Sequence, residues 1–267
     1  MSEHDQHSAD KHEDPVFEVI ETDHGRQVRH KGVYLLPNLF TTGALFAGFY
    51  AIVAAMNGQF ENAAIGIIVA GVLDGMDGGI ARLTNTQSKF GAEYDSLSDC
   101  VAFGVAPGLV AYAWGLTTLG KLGWVAAFIY VACAALRLAR FNVQAETSDK
   151  RYFIGLPSPS GAGMVATMVW LGASRGVSGD EISWLVAFIT TAAGLLMVSS
   201  VRYQSFKEYH IGRVPVRALL GVIIAFAIVV LDPPLVLTAV AVIYIGSGVV
   251  LDVIRRLRQR NKAVDPT

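Results

Sequence analysis

The sequence predicts an all-α polytopic membrane protein, a bundle of about eight transmembrane helices with both termini cytoplasmic. Three observations carry that prediction. Of 267 residues, 53% are hydrophobic and only 16% are charged, where soluble domains carry about 25% charged residues. From Leu35 onward, apolar runs of roughly 18–24 residues recur, each long enough to cross about 30 Å of hydrocarbon as a helix. The basic residues between those runs sort to one side. A mean hydropathy of +0.46 agrees with all three.

Several function classes drop out at once. Apolar content this high excludes disorder as the main state. A formal net charge of −1 with no single basic patch argues against a nucleic-acid partner. Cys100 and Cys133 both lie in apolar stretches and cannot frame a disulfide-rich domain. His4, His7, His12, His24, His30 and His210 all fall outside the apolar runs, which disfavours haem or a di-iron centre in the bundle.

Residues 1–32 are charged, poor in aromatics and without helical periodicity, and are expected to form a disordered polar cytoplasmic tail. They lack the apolar stretch after a basic start that marks a signal peptide. The membrane domain is expected over 33–256, with spans at about 36–56, 62–83, 95–116, 122–142, 158–174, 181–200, 214–231 and 234–254. Turn or polar residues separate them: Asn57-Gly58-Gln59, Asn85-Thr86-Gln87, Leu119-Gly120-Lys121, Ser178-Gly179-Asp180 and Asp232-Pro233-Pro234. Residues 257–267 form a basic cytoplasmic tail. With eight spans, all of the 21 Lys and Arg except Lys121 and Arg175 fall on one side. An odd number of spans would scramble that sorting, so the positive-inside rule places both termini in the cytoplasm.

Aspartate inside a membrane helix is costly unless it is paired, hydrated or bound to a cation. The second and third spans hold four: Asp74, Asp77, Asp95 and Asp99. At 100° per residue, Asp74, Asp77, Gly78, Ala81 and Arg82 occupy one arc of about 140° on the second helix. Asp95 and Asp99 lie only about 40° apart on the third. A short connection makes these helices antiparallel neighbours, so four carboxylates converge near the cytoplasmic end. Such a set needs positive charge, from Arg82 and from hard divalent cations. Oxygen-only ligands select Mg²⁺, Mn²⁺ or Ca²⁺ over zinc or copper. Gly71, Gly75, Gly78 and Gly79 let another helix or a pyrophosphate approach the backbone. Metals, an arginine and a glycine-lined face together suit phosphoryl transfer. A proton or cation pathway also uses intramembrane aspartate, but it does not require Arg82 or the Asp-x-x-Asp-Gly spacing.

Asp74-Gly75-Met76-Asp77-Gly78-Gly79-Ile80-Ala81-Arg82, with Gly91, Asp95 and Asp99 behind it, matches D-x2-D-G-x2-A-R-x8-G-x3-D-x3-D at every defined position. In this the chain resembles the CDP-alcohol phosphatidyltransferase family, over about Leu36 to Tyr203. The resemblance implies two Mg²⁺ or Mn²⁺ ions that bind the pyrophosphate of a CDP-linked lipid. Carried over residue by residue, it implies that Asp74, Asp77 and Asp95 hold metal. Asp99 then deprotonates the acceptor hydroxyl and shares a metal. Gly78, Ala81, Arg82 and Gly91 would serve the CDP-lipid, with Asn38 and Thr41 as further candidates to line the nucleotide pocket; helix-start capping explains the last two about as well.

Further stretches are similar to one branch of the family, the bacterial phosphatidylserine synthases: Leu36-Pro37-Asn38-Leu39-Phe40-Thr41, Phe103-Gly104-Val105-Ala106-Pro107, Leu136-Arg137-Leu138-Ala139-Arg140-Phe141-Asn142, Gly155-Leu156-Pro157-Ser158-Pro159 and Met197 to Tyr203. The implied reaction is CDP-diacylglycerol plus L-serine giving phosphatidylserine plus CMP, at the cytoplasmic face of the cell inner membrane, by a homodimer. A serine carboxylate suits Arg137 and Arg140 with Asn142, because guanidinium binds it bidentately. Cytoplasmic anchoring of the helix end accounts for the two arginines equally well. Two alternatives stay open. One is the same chemistry with glycerol 3-phosphate or inositol phosphate as acceptor. The other is an ion-coupled transporter, for which a repeat between halves is expected and no second aspartate motif is present.

Overall fold

The computed structural model describes residues 21–23, 26–28, 35–84, 89–144, 152–204 and 216–264. All eight expected apolar runs form helices. They are α1 (Leu35–Met56), α2 (Phe60–Thr84), α3 (Lys89–Asp99) with α4 (Ala106–Ala111), α5 (Lys121–Gln144), α6 (Ser158–Ser174), α7 (Ser183–Val198), α8 (Val216–Leu231) and α9 (Pro233–Val264). Two short antiparallel pairs accompany them: β1 (Glu21–Asp23) with β2 (Arg26–Val28), and β3 (Tyr152–Ile154) with β4 (Arg202–Gln204). The first pair lies in the stretch read from sequence as a tail without elements; the rest of residues 1–32 lies outside the described residues. At the other end, α9 continues unbroken to Val264 and carries the basic run from Arg255 to Lys262 as helix.

Five segments among the described residues are long and apolar enough to cross a membrane: Asn38–Met56, Phe90–Leu119, Lys121–Val143, Gly179–Val198 and Pro233–Arg255. The expected count was eight. The other three helices fall short for identifiable reasons. Asp74, Asp77 and several glycines interrupt the apolar run of α2, and α6 and α8 have only 17 and 16 residues.

Small residues hold the bundle together. In lipid no hydrophobic force drives helices into one another, so close backbone approach and dispersion must do so. Ala44, Ala47, Ala51, Ala54 and Ala55 of α1 are buried, as are Ala63, Ala64 and Ala70 of α2. Gly66 sits where a Cβ would come within 3.0 Å of the Ala47 carbonyl oxygen. The turn between these helices closes on Gly58 at φ +71°, with Gln59 N donating to Ala54 O and Gly58 N to Ala55 O. That pattern ends α1 as a Schellman motif. Against the other face of α1, Gly48 meets the Ala102 backbone, where a Cβ would lie 2.7 Å from Cα. This contact docks the third span directly on the first.

The third span is not a plain α-helix. Residues Cys100–Val105 and Tyr112–Leu116 take π-helical turns around α4. Pro107 is the cause at the first: it has no N–H and crowds the carbonyl four residues back, which is that of Phe103. The displaced carbonyl accepts a hydrogen bond of 2.9 Å from the buried Tyr130 hydroxyl of α5. The π turn begins at the residue after Asp99, so the bend lies at the site itself.

Helix α6 runs through the core of the bundle, with Ala162, Met164, Val165, Ala166, Met168 and Val169 all buried. Its entry is fixed by β3–β4, paired Phe153 to Tyr203, and by Leu156 N donating to Leu196 O of α7. Gly155 at φ +86° makes the corner; a Cβ there would sit 2.1 Å from Met197 O, so no other residue fits.

Candidate active site

Four elements meet at one end of α2 and the start of the third span. On α2, Asp74 and Asp77 are one turn apart; on α3, Asp95 and Asp99 are one turn apart. The fold brings Asp74, Asp95 and Asp99 together, with one carboxylate oxygen from each lying within 4.8 Å of the others. Asp74 and Asp99 are in side-chain hydrogen-bond contact, and Asp77 is within electrostatic range of Asp95 and Asp99. Asp77 itself is buried and accepts a hydrogen bond of 2.6 Å from the Thr41 hydroxyl.

This arrangement asks for a cation. Three half-buried carboxylates in contact repel one another in a medium that screens poorly. Two carboxylates can touch only with a proton or a metal between them. The Asp95 Oδ1 atom is buried and has no hydrogen-bond partner, an expense that a metal ligand bond would remove. With only oxygen donors present, the site fits hard divalent ions such as Mg²⁺ or Mn²⁺.

Helix α1 aligns the two acidic helices. Thr41 bonds Asp77 through its hydroxyl, and its carbonyl accepts 3.0 Å from Ser98, which is buried between Asp95 and Asp99 in sequence. One residue on, Thr42 shares a hydrogen bond of 2.9 Å with the Tyr94 hydroxyl. Thr41 was a candidate for the nucleotide pocket; its hydroxyl is found holding an aspartate. Asn38 stands one turn earlier, where its carbonyl accepts from Thr42. Gly78 and Gly91 lie on α2 and α3, part-exposed. Ala81 and Arg82 lie on the last turns of α2, but their side chains are outside the described residues.

The three candidates on α5 separate. Arg137 is half-buried, donates 2.6 Å to the fully buried Ser158 hydroxyl and lies within electrostatic range of Asp99. Arg140 is exposed. Asn142 is exposed too and exchanges hydrogen bonds of 3.0–3.1 Å with Ser96, tying the end of α5 to α3. Sequence reasoning missed Ser98, Tyr94 and Ser96. Their one visible signal is polarity among the aspartates, at positions off the acidic arc. It missed Tyr130 as well, although Pro107 inside an apolar run announces a carbonyl in need of a donor.

The comparisons with known proteins agree with this geometry. The family described as CDP-alcohol phosphatidyltransferase matches residues 34–199, a stretch that contains every aspartate of the cluster. A Helicobacter pylori protein is 44% identical over 177 residues, 66% of this chain and 74% of its own length. A Mycobacterium tuberculosis protein is 35% identical over 235 residues, 82% of this chain and 79% of its own. A Bacillus subtilis protein is 35% identical over 174 residues, 65% of this chain and 92% of its own. Each of the three is named CDP-diacylglycerol–serine O-phosphatidyltransferase. On the matched length and the strength of these likenesses, the chain belongs to the CDP-alcohol phosphatidyltransferase family.

Proposed function

We propose that this protein transfers the phosphatidyl group from CDP-diacylglycerol to the hydroxyl of L-serine, giving phosphatidylserine and CMP. The observation that carries the reading is the meeting of Asp74, Asp95 and Asp99 within 4.8 Å, at the spacing of the family's motif. The names of the relatives support the choice of serine.

In this reading Asp74, Asp77, Asp95 and Asp99 would hold two Mg²⁺ or Mn²⁺ ions. When bound, the metals neutralise charge on the pyrophosphate and let CMP depart without a strong acid. Asp99 takes the proton from the seryl hydroxyl as its oxygen attacks the phosphatidyl phosphorus. The bond from that phosphorus to the CMP oxygen breaks, and CMP leaves with the electron pair. Thr41 and Ser98 keep α2 and α3 in register during that step, and Gly78, Ala81, Arg82 and Gly91 admit the nucleotide and pyrophosphate. Arg137, with Arg140 and Asn142 nearer the surface, receives the serine carboxylate. All eight helices cross the inner membrane, both termini and the site face the cytoplasm, and the working form is a homodimer. The sorting of Lys and Arg supports the orientation, and the family resemblance supports the dimer.

The test is CMP release by purified protein supplied with CDP-diacylglycerol, Mn²⁺ and one acceptor at a time. Serine is expected to release CMP, whereas glycerol 3-phosphate and inositol phosphate are not. Release with glycerol 3-phosphate alone would overturn the acceptor, and no release with any alcohol would overturn the reaction.

A further inference from the structure

A second polar cluster lies beside the aspartates, where α5, α6, β4 and α9 meet. Arg137 has five N–H donors and makes one hydrogen bond among the described residues, to Ser158. Its guanidinium lies within electrostatic range of both Asp99 and Tyr244. Tyr244, on α9, is hydrogen-bonded to the side chain of Ser160, two residues along α6 from Ser158. The Tyr244 ring stands 5.7 Å from that of Tyr203, which is 1% exposed and whose hydroxyl has no hydrogen-bond partner. Burial pushes that hydroxyl up to about 12, so it stays neutral.

Helix α9 is seated against this cluster by construction. A Cβ at Gly248 would come within 2.2 Å of the Tyr203 ring, so only glycine lets α9 approach so closely. The Thr238 hydroxyl donates 3.1 Å to the Thr167 carbonyl of α6 and fixes the register along the helix. A half-buried guanidinium with spare donors favours a bound anion. Next to Asp99, and with neutral hydroxyls around it, it suits a carboxylate carried by the acceptor alcohol.

We infer that α9 builds one wall of the acceptor pocket, with Arg137 taking the carboxylate of an amino-acid alcohol and Tyr244 acting as the positioning residue that holds Arg137 for it. The inference rests on the proposed reaction and extends it to a helix outside the matched residues 34–199. The Bacillus subtilis relative, matched over 92% of its length by 174 residues, is too short to span everything from α1 to Val264. The wall therefore tunes acceptor affinity and selectivity rather than enabling turnover.

The experiment measures KM and kcat for CMP release by the full-length Tyr244→Phe and Ser160→Ala proteins, with serine and with ethanolamine, which is serine without its carboxylate. For Tyr244→Phe the serine KM is expected to rise about tenfold, with the KM for CDP-diacylglycerol within twofold and the preference for serine over ethanolamine reduced. Ser160→Ala shifts the same ratio in the same direction, by less. An unchanged serine KM in both variants would overturn the inference, as would equal losses for both acceptors, which mark a general packing defect. If the unsubstituted protein releases no CMP with serine, the reaction itself is overturned instead.

Discussion

The contacts among α1 to α7 and the outer surface of α8 draw on the same apolar residues and use them in opposite ways. In the first group, alanine and glycine line the contacts and the backbones nearly touch, as at Gly48 against Ala102 and Gly194 against Tyr130. On α8, Leu220, Ile223, Ile224, Phe226, Ile228 and Val230 all point outward and are exposed. The contrast follows from the solvent. Hydrocarbon welcomes a leucine as well as a protein core does, so large apolar residues give little reason to pack, and small ones decide where helices meet. The clustered carboxylates sit in the tightly packed group, where a π turn begins at the residue after Asp99 and the buried Tyr130 hydroxyl serves the Phe103 carbonyl within it.

The first way to test the contrast is to remove chemistry from the tight region without disturbing its packing. Asp99→Asn keeps the size of the side chain and is expected to abolish turnover, a loss of at least about a thousandfold, while CDP-diacylglycerol binding is largely retained. CMP release and equilibrium binding of the CDP-lipid in detergent check the two halves separately. Loss of binding as well as turnover would make Asp99 chiefly a metal ligand.

Next comes a change to the packing without the chemistry. Tyr130→Phe removes the hydroxyl that serves the Phe103 carbonyl, a buried acceptor that Pro107 has deprived of its helical donor. An unsatisfied buried carbonyl costs about 1–3 kcal/mol, read as a lower unfolding temperature in detergent. Activity is expected to fall with it, because the same π turn begins just behind Asp99. If stability falls and activity does not, the bend is a packing device only.

The sequence disclosed these regions unequally. Helix positions were legible because apolar runs must satisfy their own backbone in lipid. The acidic helices were legible because four aspartates at fixed spacing are too costly to be incidental. The α3–π–α4 geometry was hidden, since Pro107 predicts a disturbance but not its form. Also hidden was the role of Thr41, which capping and nucleotide contact explain as readily as the bond to Asp77 seen in the fold. Tyr244 could not be read at all: it sits in an apolar run 107 positions from Arg137 along the chain, and only the fold makes them neighbours.

The smallest effect is expected on α8, and it tests what that helix faces. Phe226 is 70% exposed, so in the bilayer its ring meets acyl chains or another protein. Against acyl chains, Phe226→Ala exchanges one lipid contact for another, and the change in stability stays within about 0.5 kcal/mol. Turnover is then unchanged, as is the molecular mass of the detergent-solubilised particle. A ring that packs against a second copy behaves differently. Truncating a buried aromatic costs about 3–5 kcal/mol, and the particle would shift toward the monomer. The first outcome keeps α8 as a lipid-facing helix and leaves any contact between copies to other faces of the bundle. The second would erase the contrast between the two regions, because the outward-facing residues of α8 would be a core shared between two chains.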